Sequence, residues 1–217
     1  MGLDSLSKLP VTLLAFLCFT STGYGQESQW ELGLRSNAIS GDGLPTNDML
    51  GFGVISRFYL NDGWFAGAAI DTAEYDFEHA SAIWGESQDL SANAIDAAAT
   101  NTIFSAFMGR QYGDMSKGFD WFWTAGLGVG FPDIEDVSGP VNGGGSFDIT
   151  ARSGTEIHLI TSLGTSYHFS SEWSATFTAR VEQHFMDHRL TDRITDTTTT
   201  IDSQTPIGVS ISLNRQF

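Results

Sequence analysis

The chain has 217 residues and a net charge of −16, with 26 acidic residues against 10 basic ones. This balance argues strongly against nucleic-acid binding, which requires a basic surface. The only cysteine, Cys18, lies within the first 25 residues, so the other 192 residues can form neither disulfides nor thiolate metal sites.

The first 25 residues have the features of a secretory signal peptide. Lys8 supplies a positive charge, and residues 11–19 form an apolar core that is too short to span a bilayer as a helix. Small residues precede a cleavage site at Gln26. We therefore divide the chain into a signal peptide, 1–25, and one exported domain, 26–217. In that domain no apolar run approaches the ~20 residues of a transmembrane helix.

Eight segments of the exported domain alternate apolar residues with polar residues or glycine, which predicts β-strands with one apolar face. In chain order they cover residues 28–38, 49–60, 64–75, 100–111, 120–131, 156–169, 173–185 and 207–217. The last segment has an apolar residue at every second position from 207 to 213 and ends on an aromatic residue. Its apolar positions are Ile207, Val209, Ile211, Leu213 and the terminal Phe217.

The fourth segment, 100–111, has the least defined faces. We place Ile103, Ser105 and Phe107 outward, because this turns Arg110 inward. The opposite phase would expose Arg110 to lipid, at a cost of ~2–4 kcal/mol near the membrane midplane. The argument weakens if Arg110 lies close to an interface.

The predicted connections alternate between short and long, which is typical of transmembrane barrels with short periplasmic turns and longer outer loops. The short turns are 61–63, 112–119 and 170–172, and the long polar loops are 39–48, 76–98, 132–154 and 186–204. Aromatic residues at the strand ends beside the short turns predict a periplasmic girdle. They are Trp30, Phe58, Trp64, Trp121, Tyr167, Phe169, Trp173 and Phe217. A sparser outer girdle would contain Tyr75, Phe131 and Phe185.

On these patterns the chain resembles the small eight-stranded outer-membrane β-barrels of the OmpA transmembrane-domain and OmpX type. The resemblance covers essentially all of residues 27–217, and its main carriers are the strand 123–131 (Trp-Thr-Ala-Gly-Leu-Gly-Val-Gly-Phe) and the terminal strand 208–217. It implies an all-β, eight-stranded antiparallel up-and-down barrel in the outer membrane of a Gram-negative bacterium. Arg215 departs from the family, which usually has an apolar or aromatic residue there. At the periplasmic interface this arginine could snorkel.

The resemblance also implies partners. Similar chains are recognised through their last strand, so the assembly signal would consist of Val209, Ile211, Leu213 and Phe217. The outer-membrane barrel assembly machinery and periplasmic chaperones would read this signal. Outer-membrane lipid and lipopolysaccharide are the other expected partners.

Inward-facing charged residues are the first candidates for a function. The lumen of an eight-stranded barrel is just wide enough for side chains to fill, and unpaired buried charges are costly. We therefore predict a salt-bridged lumen plug of Glu31, Arg57, Arg180 and Glu182. A gated narrow pore is the alternative.

His158 and His184 form a possible polar cluster. A turn that pairs Ser170 with Glu172 would set the two histidines opposite each other, with Glu182 on the same face. Two imidazoles and a carboxylate can bind a transition metal. A hydrogen-bonded histidine pair in a polar lumen needs no ion, however, and we predict no metal or cofactor.

Enzymes that act on lipid A include barrels of this size, whose deacylases show a His-x-Ser pair with a carboxylate. Here the residue two positions after His158 is Ile160, and the residue two positions after His184 is Met186. Neither histidine therefore has the serine of such a pair. His168 and Ser170 have the spacing but lie at a predicted periplasmic turn. We therefore predict no catalytic residues.

The four long loops contain 15 acidic residues and three arginines, a net charge of −12. The favoured interpretation is a solvated surface that repels its neighbours. Asp133, Glu135 and Asp136 are the densest acidic cluster, and their spacing matches no calcium-loop motif. Ile83 and Trp84 are candidates for contact with lipopolysaccharide or a partner. We thus expect a non-enzymatic structural or surface-interaction protein, with a porin-like narrow channel second and a lipid A-modifying enzyme third.

Overall fold

A computed structural model of the chain describes residues 30–40, 49–78, 96–113, 118–140 and 145–217. Within these ranges eleven antiparallel strands form one sheet. They are β1 (Trp30–Ser40), β2 (Met49–Tyr59), β3 (Trp64–Glu78), β4 (Asp96–Tyr112), β5 (Gly118–Ile134), β6 (Val137–Pro140), β7 (Ser146–Ser153), β8 (Glu156–His168), β9 (Trp173–Asp192), β10 (Thr197–Gln204) and β11 (Ile207–Gln216). No helix in the described ranges is long and apolar enough to cross a membrane. The predicted signal peptide lies outside these ranges.

Eight of the strands close into a barrel. β1 pairs with β2 on one side and with β11 on the other, and β11 also pairs with β9. At the seam the Phe217 backbone N–H donates to the Trp30 carbonyl at 2.8 Å, and the Trp30 N–H donates to the Phe217 carbonyl at 3.3 Å. The barrel consists of β1 to β5, β8, β9 and β11. The eight-stranded up-and-down architecture predicted from the sequence is thereby confirmed.

The alternation along the strands places apolar side chains outside and charged ones inside. Phe52 is 74% exposed and Leu127 is 61% exposed, whereas Glu31, Arg57 and His158 are buried. Soluble domains place these residue types the other way round. The outward apolar side chains, here called the apolar belt, suit a barrel surrounded by lipid. Seven of the eight predicted strands have the predicted faces.

The predicted phase of β4 is wrong. Ile103, Ser105 and Phe107 face the lumen, and Arg110 faces outward. Arg110 lies beside the aromatic girdle, with its guanidinium 5.7 Å from the Trp64 ring centroid and 5.2 Å from that of Tyr112. An arginine at the edge of the belt can stack on aromatic rings and reach water, so the lipid penalty that decided the prediction does not apply.

The short connections lie at one end of the barrel, here called the short-turn end. Between β2 and β3 the chain turns within Asn61–Gly63, where Asp62 and Gly63 have φ of 60° and 77°, a backbone conformation that favours glycine. Aromatic pairs across neighbouring strands form a girdle here. Their ring centroids lie 4.9 Å apart for Trp30 and Phe58, 5.8 Å for Trp64 and Trp123, and 4.8 Å for Phe119 and Tyr167.

At the opposite end, here called the long-connection end, two predicted loops contain strands. The predicted loop 132–154 includes β6 and β7, and the predicted loop 186–204 includes the last part of β9 and β10. β7 and β10 pair with β9 on its two sides. β9 has 20 residues, about twice the ~9–11 that cross a bilayer, so this end projects beyond the apolar belt.

Apolar side chains cover the lumen at the long-connection end. They form a buried cluster, here called the apolar cap, that consists of Ile39, Met49, Ala73, Ala99, Ile134, Phe147, Ile149 and Leu190. Phe147 and Ile149 come from β7, so the extra hairpin contributes to this closure.

Candidate functional site

In the described part of the chain, the predicted plug residues and the charged residues beside them form three separate networks rather than one plug. The first contains two of the predicted plug residues. Glu31 on β1 and Arg57 on β2 face each other in register, and Arg57 Nη1 donates to Glu31 Oε1 at 2.8 Å. The Tyr59 hydroxyl donates to the other carboxylate oxygen at 3.1 Å. The Arg57 guanidinium also lies 4.7 Å from the Phe122 ring centroid, which adds a cation–π contact to the ion pair.

The second network joins β1 to β3. Arg35 and Asp71 form a two-point ion pair, in which Arg35 Nε donates to Asp71 Oδ1 at 2.6 Å and Nη2 donates to Oδ2. Asn37 Nδ2 donates to the same Oδ1 at 2.8 Å. Gly53 lies directly opposite Asp71, and a side chain at that position would collide with the carboxylate. The glycine therefore makes room for the charged pair.

The third network, here called the histidine cluster, is the candidate functional site. It contains the other two plug residues and both predicted histidines. His158 and His184 are paired in register, as the predicted 170–172 turn requires, and their ring centroids lie 3.9 Å apart. Glu182 Oε2 lies 2.8 Å from His184 Nε2 and 3.3 Å from His158 Nδ1. Arg180 Nε lies 2.7 Å from the other oxygen of Glu182.

Three further members of the histidine cluster were missed from the sequence. Glu156 Oε2 lies 2.9 Å from His158 Nε2, and Glu156 Oε1 lies 2.7 Å from His188 Nε2. Asn101 Nδ2 donates to Glu156 Oε2 at 2.7 Å. Glu156 is the first residue of β8, and His188 lay in a predicted loop. The sequence did contain a signal for His188. Polar residues occupy the inward positions 180, 182, 184 and 188, so the alternation of β9 continues past residue 185.

Every named side chain of the histidine cluster is buried, at no more than 6% exposure. Gly130 of β5 forms part of its wall, since a Cβ there would lie 2.6 Å from His158 Nε2 and 3.0 Å from Glu156 Oε2. The absence of a side chain at Gly130 thus makes room for the cluster in the crowded lumen.

Polar contacts also fill the lumen at the short-turn end. Asp120 Oδ2 lies 2.5 Å from both Gln111 Nε2 and His168 Nε2. Ser170 belongs to the turn that comes next in the chain, where its Oγ accepts hydrogen bonds from the backbone N–H groups of Glu172 and Trp173 at 3.3 and 3.1 Å. His168 and Ser170 thus make separate contacts and do not form the activated pair of a serine hydrolase.

Between these networks lies a cavity of about 40 Å³. Its lining includes Arg35, Arg57, Phe107, Phe122, Thr124 and Arg180. At ~10–15 Å³ of such volume for each water, it has room for roughly three ordered waters. The space is therefore an internal pocket between charged layers.

Donor groups for a metal ion occur together at one place in the described part of the chain. Glu156, His158 and His184 each offer one donor atom, and these atoms lie within 4.8 Å of one another. The predicted acidic cluster does not form such a group, because Asp136 pairs with Arg193 at 3.1 Å and accepts a hydrogen bond from the Ala151 N–H. Ile83 and Trp84 lie outside the described residues.

Asp192 orders the turn between β9 and β10, beyond the apolar belt. Its carboxylate accepts from the backbone N–H groups of Asp148, Ile194 and Thr195 and from the Thr195 hydroxyl. Burial by itself would raise the pKa of Asp192, but these hydrogen bonds outweigh it and hold the pKa below the ordinary value.

A closed eight-stranded barrel with an apolar exterior and a filled, charged lumen defines the class of small outer-membrane β-barrels. No family model and no curated protein matches the sequence. Among solved structures, the chain is similar to the outer membrane protein OprG from Pseudomonas aeruginosa, with a TM-score of 0.63 and 10% identity over 88% of this chain and 96% of that chain.

Two further solved structures are similar at lower TM-scores. Neisserial surface protein A has a TM-score of 0.48 and 12% identity, over 89% of this chain and 98% of that chain. Ail, the attachment invasion locus protein of Yersinia pestis, has a TM-score of 0.47 and 13% identity, over 88% and 100%. Likenesses at this level support no argument about function. The likeness to OprG shows the fold, and it does not assign an activity.

Proposed function

We propose that this protein is a non-enzymatic, non-conducting integral barrel of the bacterial outer membrane, with a structural or surface-interaction role. The observation that carries the proposal is the filled lumen. Oppositely charged side chains form ion pairs inside the lumen, and the apolar cap covers its long-connection end. An eight-stranded barrel has little space beyond such side chains. We place the short-turn end of the barrel in the periplasm and the long-connection end outside the cell.

Solute efflux from proteoliposomes separates this proposal from the runner-up, a narrow pore. Vesicles with the folded wild-type barrel should release a small dye or ion no faster than empty vesicles. Arg57→Ala combined with Phe147→Ala should raise the efflux rate, because the pair removes one side chain from the charged networks and one from the apolar cap. Arg215→Ala is the matched control, because Arg215 lies outside the lumen on the Phe217 and Trp173 rings. Rapid efflux through the wild type would support the pore instead.

The third candidate, a lipid A-modifying enzyme, has weaker support from the site. The buried histidines contact carboxylates and lie under the apolar cap, away from the lipid-facing surface. Mass spectrometry of lipid A from cells with and without the gene tests this candidate. An unchanged spectrum is expected, and a gained or lost acyl chain would overturn the non-enzymatic proposal.

We further propose lipopolysaccharide as a partner of the extracellular strands. Arg152 on β7 and Arg189 on β9 face each other in register on the outer surface, and among the described residues neither has a carboxylate within salt-bridge distance. Two like charges side by side repel, and a phosphate between them would relieve the repulsion. Arg189 lies four residues beyond the exposed Phe185, just past the apolar belt, at the level expected for headgroup phosphates.

Binding to lipid A vesicles tests this partner. Replacing both arginines by glutamine should weaken binding about ten-fold, whereas Arg193→Gln, which removes an arginine already paired with Asp136, should change it little. Equal binding by all three proteins would remove lipopolysaccharide phosphate as the partner of this pair.

The last strand is proposed as the assembly signal, read by the outer-membrane assembly machinery with periplasmic chaperones as earlier partners. Val209, Ile211, Leu213 and Phe217 are all exposed on the outer surface of β11. Val209, Ile211 and Leu213 form an apolar row beside β1, which Arg215 separates from Phe217, and such a row is accessible to another protein before the barrel closes.

A further inference from the structure

We propose that the histidine cluster is a binding site for a divalent transition-metal ion of the Zn²⁺ type, with Glu156, His158 and His184 as its ligands. The inference goes beyond the proposed function, because a sealed barrel needs no metal. Two histidines and one glutamate are a common protein ligand set for Zn²⁺.

The geometry of the donors fits an ion after small movements. The three donor atoms lie within 4.8 Å of one another. Tetrahedral Zn²⁺ with bonds of ~2.0 Å holds its ligands about 3.3 Å apart, so side-chain shifts of about 1 Å bring these atoms onto one ion. Glu156 and His158 already share a hydrogen bond of 2.9 Å, and an ion would replace the proton between them.

The surrounding side chains orient these ligands as supporting groups do in metal sites. Glu182 Oε2 contacts His158 Nδ1, which leaves Nε2 of that ring directed at Glu156. Glu182 also holds the His184 ring, and Arg180 lies against its other oxygen. Asn101 and His188 fix the two oxygens of Glu156.

Charge and unsatisfied polar atoms point the same way. With neutral imidazoles, two buried carboxylates face one guanidinium, and the net negative charge that remains attracts a cation. Within the described residues, Asn101 Oδ1 and His188 Nδ1 are buried and lack a hydrogen-bond partner. Buried polar atoms normally have a partner, and a hydrated ion in the cluster could supply one.

The cluster lies beneath the apolar cap, so the ion would enter during folding rather than by diffusion into the finished barrel. The experiment therefore refolds the protein in detergent with Zn²⁺ or with Co²⁺, removes excess metal by dialysis, and confirms folding by the heat-shifted gel band. Metal content is then measured by mass spectrometry. X-ray absorption of the Zn²⁺ protein reports the ligand types independently of any variant.

The wild type should retain about one Zn²⁺ per chain, with an absorption spectrum that fits two imidazoles and one carboxylate. The Co²⁺ form should show the visible absorption of a four-coordinate site. His158→Gln and Glu156→Gln should each reduce retained metal at least ten-fold. His168→Gln is the matched control, because His168 is also buried in the lumen beside a carboxylate but lies at the short-turn end.

A wild-type barrel that refolds without retaining metal would overturn the proposal. So would equal metal retention in His158→Gln, or an absorption spectrum without imidazole ligands. If the ligand variants do not fold, the stoichiometry and absorption spectrum of the wild type decide the question alone. The result is independent of the efflux assay, so failure here leaves the sealed-lumen proposal standing.

Discussion

Replacing Glu31 by glutamine should destabilise the barrel more than any change at an exposed ion pair. The substitution leaves Arg57, which is only 3% exposed, without its carboxylate partner at 2.8 Å. Breaking a buried pair by removing one partner costs about 3–5 kcal/mol, because a buried charge is left uncompensated. The cation–π contact with Phe122 is present in both proteins, so it does not change this difference. The expected loss in the free energy of unfolding is therefore about 3–5 kcal/mol.

The assay is reversible urea unfolding in lipid vesicles, monitored by tryptophan fluorescence and by gel mobility. Glu172→Gln is the matched control, because Glu172 and Arg215 form a surface pair whose side chains are 59% and 48% exposed. Such pairs contribute about 0–1 kcal/mol. The double variant Glu31→Gln with Arg57→Met should recover most of the loss, since no charge then stays buried. A loss no larger than that of the control, or no recovery in the double variant, would refute the reasoning.

Three further predictions concern packing, pH and assembly. Gly130→Ala should cost about 1–3 kcal/mol in unfolding free energy, because its Cβ would lie 2.6 Å from His158, while Gly128→Ala, with contacts no closer than 3.3 Å, should cost less. Equal losses would contradict this. Because the pKa of Asp192 is lowered on folding, its contribution to stability is complete above the unfolded value of ~3.9 and disappears as pH falls through the folded value. Wild type and Asp192→Asn should thus differ in urea stability at pH 6, and the difference should shrink as the pH falls below ~3.9, whereas a constant difference would count against the assignment. Phe217→Ala keeps the two backbone hydrogen bonds to Trp30 and should reduce the amount of folded barrel in outer membranes several-fold, while refolding in detergent stays normal. Unchanged amounts would remove Phe217 from the assembly signal.

The strands and most of their faces could be predicted because lipid and lumen impose opposite demands on alternate residues. β4 is the exception. Its sequence carries large apolar side chains on both faces, with Phe104 and Met108 outward and Ile103 and Phe107 inward. The prediction of the outward face then rested on the charge of Arg110. It was wrong because alternation alone does not show how deep a residue lies in the membrane.

The strands beyond the membrane escaped prediction for a related reason. Outside the lipid, the outward face of a strand no longer needs apolar residues, so the alternation of apolar and polar residues weakens. Thr197 to Thr200 lie within β10 and are polar on both faces. The same effect concealed His188, which stands on the extension of β9.

The histidine cluster could be predicted only in part. The pairing of His158 with His184 followed from the position of one short turn, since register propagates along two adjacent strands. Glu156 and Asn101 reach the cluster from β8 and β4, which are not adjacent strands, and contacts across a lumen depend on barrel shape rather than on register. The predicted single plug likewise separates into two ion pairs, Glu31 with Arg57 and Glu182 with Arg180.

Side chains that seal the barrel are central to the proposed function, and single-channel recording in planar bilayers tests this sealing most directly. The sample is the wild-type protein whose heat-shifted gel band confirms folding. We expect a flat baseline without conductance steps at moderate voltage, because charged networks and an apolar cap close the lumen. Regular, reproducible steps from the wild-type protein would contradict a sealed lumen.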